Sequence, residues 1–234
     1  MNSTGNHTAI LFFSRTARAE HANKSFFQGK LHTRNLKFTN QLISGSVQKI
    51  KGTGLPFYQV DETAQEGISF GEKLTNAICK VFDKGYDKII ITGNDCPQLS
   101  TSGLLDACKS LEVNDFVFGP TGNGGLYLIG LSVKHFLKEK FKAINWQTSS
   151  VANECKLLAE SCSDSIVVLP ELTDLNNQGS IMRISHKLSC LDPTRLMASS
   201  ILACISSCFH NIKTSYFTPP SITNQALRAP PLLG

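Results

Sequence analysis

Residues 88–99 read KIIITGNDCPQL, and no other stretch limits the fold as closely. Ile89, Ile90 and Ile91 are consecutive and β-branched, which suits a strand covered on both faces, as in a parallel sheet between helical layers. Gly93 then frees the backbone, Asp95 supplies a carboxylate, and Pro97 stops the chain from continuing in register. Open α/β sheets bind ligands in the crevice beyond the carboxyl ends of their strands. Asp95 is therefore a candidate to hold a metal ion and the phosphates bound to it. The competing reading is a cap, because an Asp in such a turn commonly caps the next helix, here one starting near Ser100.

The rest of the chain supplies alternating partners for that strand. Strands are expected at 8–14 (TAILFFS), 56–60, 116–119, 126–130 and 166–169, with a polar connection at 15–23. Between them, helices are expected at 35–51, 70–84, 102–111 and 149–161. The clearest is 70–84, where Phe70, Leu74, Ala77, Ile78, Val81 and Phe82 recur at three and four residues and Gly85 follows as a stop. Strands alternating with helices indicate an α/β layer fold with a mostly parallel sheet. The character changes after Asn177. Residues 1–177 are expected to form one domain, and 178–234 a Ser- and then Pro-rich extension with a helix at 195–209 and a tail.

Composition narrows the class of function. Of 234 residues, 41% are hydrophobic and 18% charged, an ordinary globular balance. No apolar run approaches the ~18 residues of a membrane span, and the N-terminus lacks the pattern of a secretory leader. The eight cysteines form no C-x-x-C pair and no zinc spacing with histidines, which points to a reduced, cytoplasmic setting. Residues 1–55 carry eight Lys and Arg against the single acid Glu20, while 56–177 carry ten against sixteen acids. A basic first quarter without an aromatic-interleaved ladder fits a small anion better than nucleic acid.

Arg15, Arg18 and Lys24 follow the first strand and are the candidates to contact phosphate oxygens, the arginines in bidentate fashion. A second feature is FGPTGNGGLYLIGL at 118–131. Gly124 and Gly125 permit positive φ or a close approach of backbone to a ligand, and Tyr127 offers an aromatic face. A hairpin would use the same Asn123-Gly124 pair. Trp146 is a candidate to stack on a base or sugar and equally a candidate for core packing. Neither G-x-G-x-x-G after a strand nor a P-loop is present.

The runs GISFGEKLTNAICKVFDKGYDKIIITGNDCPQLS (67–100), FVFGPTGNGGLYLIGL (116–131), NWQT (145–148) and LPELTDLNN (169–177) resemble, in order and spacing, the bacterial glycosyltransferase-A-like family, also called selenodomain-associated transferases. RAPP at 228–231 is similar to the ending of some members. The resemblance implies a Rossmann-like three-layer sandwich of nucleotide-diphospho-sugar transferase type that binds its nucleotide through Mg²⁺ or Mn²⁺. Asp95 then matches the strand-end metal-binding acid, with Gly93 and Asn94 beside it at the donor site, and Asp174 and Asn176 match a second metal-proximal pair. Glu72 matches a recurrent glutamate whose place in the first turn of a helix also explains it. One departure stands out: the family usually has D-G-G where this chain has Asn123. An amide cannot take up a proton, so if that Asp is a general base the base here lies elsewhere, with Asp61, Glu62 and Glu66 as candidates.

These readings converge on a glycosyltransferase-like enzyme that takes a nucleotide-sugar donor and a small-molecule acceptor. Asp95 and Asn123 are its catalytic candidates, and Asp95, Asp174 and Asn176 its metal ligands. A nucleotidyltransferase on the same fold is one rival, although FSRTARAEH at 13–21 lacks the glycines expected of its first loop. A non-catalytic nucleotide-sugar-binding protein is the other, suggested by Asn123 and Asn176.

Overall fold

The isoleucine run becomes β3 (Lys88–Thr92), in the middle of the sheet. A computed structural model describes residues 8–24, 26–27 and 32–189. The helix expected at 195–209, the tail and RAPP lie outside the described residues. Around β3 stand β1 (Thr8–Phe13), β2 (Phe57–Val60), β4 (Phe116–Pro120), β5 (Leu126–Ser132) and β6 (Ile166–Val168). Among the described residues they form a six-stranded sheet in the order β2-β1-β3-β5-β4-β6. β1 runs parallel to β2 and β3, and β4 parallel to β6. Only β5 runs against its neighbours, β3 and β4. That reversal follows from the connection: the turn at 121–125 is a hairpin, far too short for the crossover a parallel neighbour needs.

Period-two alternation through the central strands divides the core between two faces. Ala9, Leu11, Ile89 and Ile91 pack against α3 (Phe70–Phe82), α5 (Lys138–Lys142) and α6 (Val151–Glu160). Ile10, Phe12 and Ile90 pack on the opposite side against α2 (His32–Lys51) and α4 (Thr101–Val113). The result is a three-layer α/β/α sandwich. Each fully buried Ile contributes about 1.5–3 kcal/mol of transfer free energy, so β3 alone anchors both interfaces.

Two helices depart from the sequence reading. The polar connection after β1 contains α1 (Ala17–Asn23), whose N-cap Thr16 accepts from the Ala19 amide at 3.4 Å. Its ARAEHAN sequence has too few large apolar residues to show a period. Beyond residue 177, α7 (Gln178–Ser189) returns to the body: Ile181 and Ile184 are fully buried with Leu175, Phe26, Phe27, Phe38 and Leu42. This small cluster also holds Phe26 and Phe27, whose amides donate to the Asn35 carboxamide oxygen.

The order of strands reverses at β1 and β3: the chain leaves β1 for β2 on one side and reaches β3 on the other. Such a switch point opens a crevice between the loops that follow the two strands.

Candidate functional site

A cleft of about 710 Å³ lies at that edge of the sheet. Five connections converge on it. β1 delivers Ser14, Arg15 and, through α1, Glu20 and Lys24, while β2 delivers Glu62 and Gln65. β3 delivers Gly93, Asn94, Asp95 and Cys96; the β4–β5 hairpin delivers Thr121, Asn123 and Gly125; the segment after β6 delivers Asp174 and Asn176.

Asp95 is not a helix cap. Ser100 performs that task for α4, its hydroxyl accepting from the Gly103 amide at 3.0 Å. The Asp95 side chain instead faces the cleft, 44% accessible, with Oδ1 2.6 Å from Lys24 Nζ. Its main chain is fixed from behind, where the Asp95 carbonyl accepts from the Leu175 amide at 2.7 Å. Surrounding protein pushes the Asp95 carboxyl above the ordinary aspartate range by desolvation; Lys24 opposes this, while Glu20 and Asp174 add repulsion. Lys24 itself is held above the usual ammonium value: burial works against its charge, but the Asp95 and Glu20 carboxylates outweigh burial.

Glu20 is the residue that sequence reasoning missed. Its side chain is 6% accessible, it sits 2.9 Å from Lys24 Nζ, and Arg15 approaches its other oxygen at 3.6 Å. An isolated acid in a strongly basic segment was the available signal. Arg15 and Lys24 therefore reach the cleft already paired with carboxylates. Arg18 does not reach it: it lies exposed on α1, outside the cleft lining.

Asp174 and Asn176 arrive together as expected, both lining the cleft. Asp174 Oδ2 accepts from the Asn123 amide group at 2.6 Å and also from that of Asn176. Asn123 is committed further, because its Oδ1 accepts from the Thr121 hydroxyl at 2.6 Å and the Gly125 amide at 3.1 Å. Asn123 thus shapes the hairpin and orients Asp174, and every polar atom of its carboxamide is engaged.

The glycines and aromatics require correction. Gly93 does not adopt positive φ, and a Cβ there would meet only the Phe13 carbonyl at an ordinary 3.6 Å, so its conformation does not demand glycine. Gly124 does adopt φ +83, but the backbone it approaches is the protein's own: a Cβ would fall 2.0 Å from the Ser149 carbonyl oxygen. It docks the hairpin on the start of α6 and does not line the cleft. Tyr127 is 8% exposed, its ring packed on Gly119 and its hydroxyl donating to the Pro170 carbonyl at 3.0 Å. It borders the cleft as a packing residue. Trp146 lines the cleft, and it is a packing residue there, its ring against Phe70 and Phe141 and its Nε1 donating to the Phe141 carbonyl.

The candidate bases separate by position. Glu62 alone of the three lines the cleft, where the Thr16 amide and hydroxyl donate to it; despite partial desolvation, these bonds hold its carboxyl below the usual glutamate range. Asp61 caps Thr63, and Glu66 pairs with Lys80. Glu72 completes a capping box with Ser69 at the start of α3 and is no part of the cleft lining. The lining also includes the apolar residues Phe13, Ile68, Phe70 and Trp146, with the Phe70 ring 5.6 Å from those of Phe13 and Trp146. Ile68 is 95% exposed, and the neighbouring Gln147 takes positive φ, 65°, which is uncommon for a residue with a side chain.

Residues 45–148, which span β2 to β5 and include Asp95 and Asn123, match a family model described as "Uncharacterized protein conserved in bacteria (DUF2064)". None of the curated proteins matches the sequence. Among solved structures, the chain is similar to a protein of Desulfovibrio desulfuricans G20 proposed to be a nucleotide-diphospho-sugar transferase, at 19% identity and a TM-score of 0.66, covering 86% of this chain and 94% of that one. That similarity is one of fold. More distant are 4-diphosphocytidyl-2C-methyl-D-erythritol synthase from Anaerococcus prevotii DSM 20548 (10% identity, TM-score 0.47, 79% and 100% covered) and Rv0371c of Mycobacterium tuberculosis H37Rv in complex with manganese (11%, 0.40, 76% and 96%). The mixed α/β sandwich with a mostly parallel six-stranded sheet thus matches the fold of the Desulfovibrio desulfuricans G20 protein. Among the described residues, no helix is long and apolar enough to cross a membrane.

Proposed function

We propose that this chain is a glycosyltransferase-like enzyme that moves a sugar from a nucleotide-diphospho-sugar to a small-molecule acceptor, in line with its resemblance to the selenodomain-associated transferases. The observation that carries the reading is Asp95, at the carboxyl end of the central strand, facing a cleft with room for a ligand of that size beside a second carboxylate, Asp174.

The donor set fits a hard divalent ion bound jointly with phosphate. Asp95, Asp174, Asn123 and Asn176 are among the residues that line the cleft, and among the described residues no cluster of three or more His, Cys, Asp or Glu forms a self-sufficient cage. Mg²⁺ and Mn²⁺ sites of this type use one or two carboxylates and complete their shell with water and substrate oxygens. Asp95 and Asp174 would hold the ion, with Asn176 beside them. The ion's chemistry is to neutralise charge developing on the departing diphosphate.

The chain's own residues would do the rest. Arg15 and Lys24, on the same side as Asp95, are the cations within reach of the diphosphate. Asn123 keeps Asp174 in place and has no capacity to accept a proton, so the base for the acceptor hydroxyl would be Glu62, the one candidate base that lines the cleft, once its oxygens are released from Thr16. The acceptor would lie along Phe13, Ile68, Phe70 and Trp146, where an apolar body loses water on binding.

Incubation with individual nucleotide-diphospho-sugars and Mn²⁺, followed by chromatography of the nucleotides, tests the proposal. Release of a nucleoside diphosphate is expected, slowed about 100-fold or more by Asp95→Asn, the scale on which removal of a charge-stabilising group acts. Release of pyrophosphate from a nucleoside triphosphate, with sugar nucleotides left intact, would assign a nucleotidyltransferase instead.

A further inference from the structure

The transferase reading leaves one group unexplained, the buried carboxylate of Glu20. It lines the cleft, yet only 6% of its side chain is accessible. Its contacts are with cations. Lys24 Nζ stands between two carboxylates, 2.9 Å from Glu20 and 2.6 Å from Asp95. The lysine side chain is 16% accessible, Glu20 6% and Asp95 44%, so the three run from protein interior to open cleft. Arg15, 37% accessible and also lining the cleft, lies 3.6 Å from the other Glu20 oxygen.

We propose that Lys24 is a tethered cation that occupies the Asp95 carboxylate in the unliganded protein, and that Glu20 is a positioning residue that receives it when a divalent ion arrives. The inference rests on the transferase reading for the identity of that ion.

The argument is one of charge. An ammonium 2.6 Å from Asp95 Oδ1 and a divalent cation on the same carboxylate repel one another, so the two compete. To leave Asp95, Lys24 must not become an unpaired ammonium with 16% exposure, because a partner lost from a buried pair is strongly destabilising. Glu20 removes that obstacle. It is within hydrogen-bond reach of the same nitrogen and lines the cleft with only 6% of its side chain accessible, one oxygen facing Lys24 and the other Arg15. Lys24 therefore moves from two carboxylates to one without losing its charge partner, and becomes free to turn toward phosphate oxygens. The i, i+4 spacing of Glu20 and Lys24, from α1 to its C-cap, fixes this arrangement locally.

Manganese binding to the full-length protein, followed by the electron paramagnetic resonance signal of free Mn²⁺ without any nucleotide, tests the exchange. Lys24→Met is expected to bind Mn²⁺ about tenfold more tightly than wild type, the size of an ordinary coupling between sites. Glu20→Gln is expected to bind more weakly than wild type, since its lysine has nowhere else to go. The double variant should behave as Lys24→Met does, because a parking place is irrelevant once the lysine is gone. It also removes both charges together, so it gives a readout if Lys24→Met leaves Glu20 unpaired and fails to fold. Equal Mn²⁺ affinity in wild type and the double variant would overturn the proposal, as would a loss from Glu20→Gln that persists in the double variant. Absence of Mn²⁺ binding in every variant would overturn it too. The transferase reading is judged separately, by nucleotide release from sugar nucleotides.

Discussion

Asp95 shows how much a single carboxylate can be asked to bear. Because desolvation and two neighbouring acids raise its pKa, the folded state binds its proton more tightly than the unfolded chain does. Stability is then lost as pH rises from the unfolded value through the folded one, and the full cost is present at neutral pH. Asp95→Asn is accordingly expected to melt at a higher temperature than wild type at pH 7, with the difference narrowing toward pH 4 as the wild-type carboxyl takes up its proton. Thermal unfolding across that range checks it; a variant less stable than wild type at pH 7 would show that the Lys24 contact dominates. Ile68 makes the opposite case. At 95% exposure it contributes little to the fold, so Ile68→Ser should leave stability within about 0.5 kcal/mol while raising the KM for the acceptor. An unchanged KM would remove Ile68 from the acceptor wall. Residue by residue, the end of an apolar strand marked Asp95, while Asp174 and Asn123 were marked by the resemblance of their motifs to a family. Glu20 stood out only as a lone acid in a basic segment, which does not tell a buried acid from a solvated one, and Arg18 was placed in the cleft because direction around a helix depends on the helix being recognised first.

At the scale of elements, the long periodic segments were legible and the short ones were not. β3 and α3 carry their period in plain view, and the start of α3 is further signed by Ser69 and Glu72. α1 has seven residues and α5 five, too few for a period to emerge. α7 was hidden for another reason: its apolar residues acquire a partner surface only when Phe26, Phe27 and Phe38 gather far away in sequence. Ile181→Ala should cost about 2–5 kcal/mol in chemical denaturation and lower hydrogen-exchange protection in α2, which shares that cluster. Loss confined to α7 would mean that the cluster does not bind the two elements together. The β4–β5 hairpin gives a second test. Gly124→Ala combines a left-handed backbone with a Cβ 2.0 Å from the Ser149 carbonyl, and about 2 kcal/mol or more of stability should go. A neutral effect would show that the hairpin shifts freely against α6, and Asp174 would then lose its fixed partner Asn123.

For the whole molecule, alternation of strands and helices was enough to give a layered α/β sandwich, and the antiparallel β5 came from a turn whose Asn-Gly pair the sequence displays. The location of the cleft followed from topology, because the reversal of strand order at β1 and β3 leaves a gap that five loops surround. The state of the cleft did not follow from sequence: cations and acids that look free in a linear chain are paired once folded, Lys24 with Asp95 and Asn123 with Asp174. On the proposed function, ion and diphosphate would together replace those contacts. The most direct measurement is therefore calorimetric titration of uridine, guanosine, cytidine, adenosine and thymidine diphosphates into the protein with and without Mn²⁺, repeated with Asp95→Asn. The account predicts that at least one diphosphate binds with Mn²⁺ present, that its affinity falls about tenfold or more when Mn²⁺ is withheld, and that Asp95→Asn removes the difference. Diphosphate binding that is indifferent to both the ion and Asp95 would contradict it.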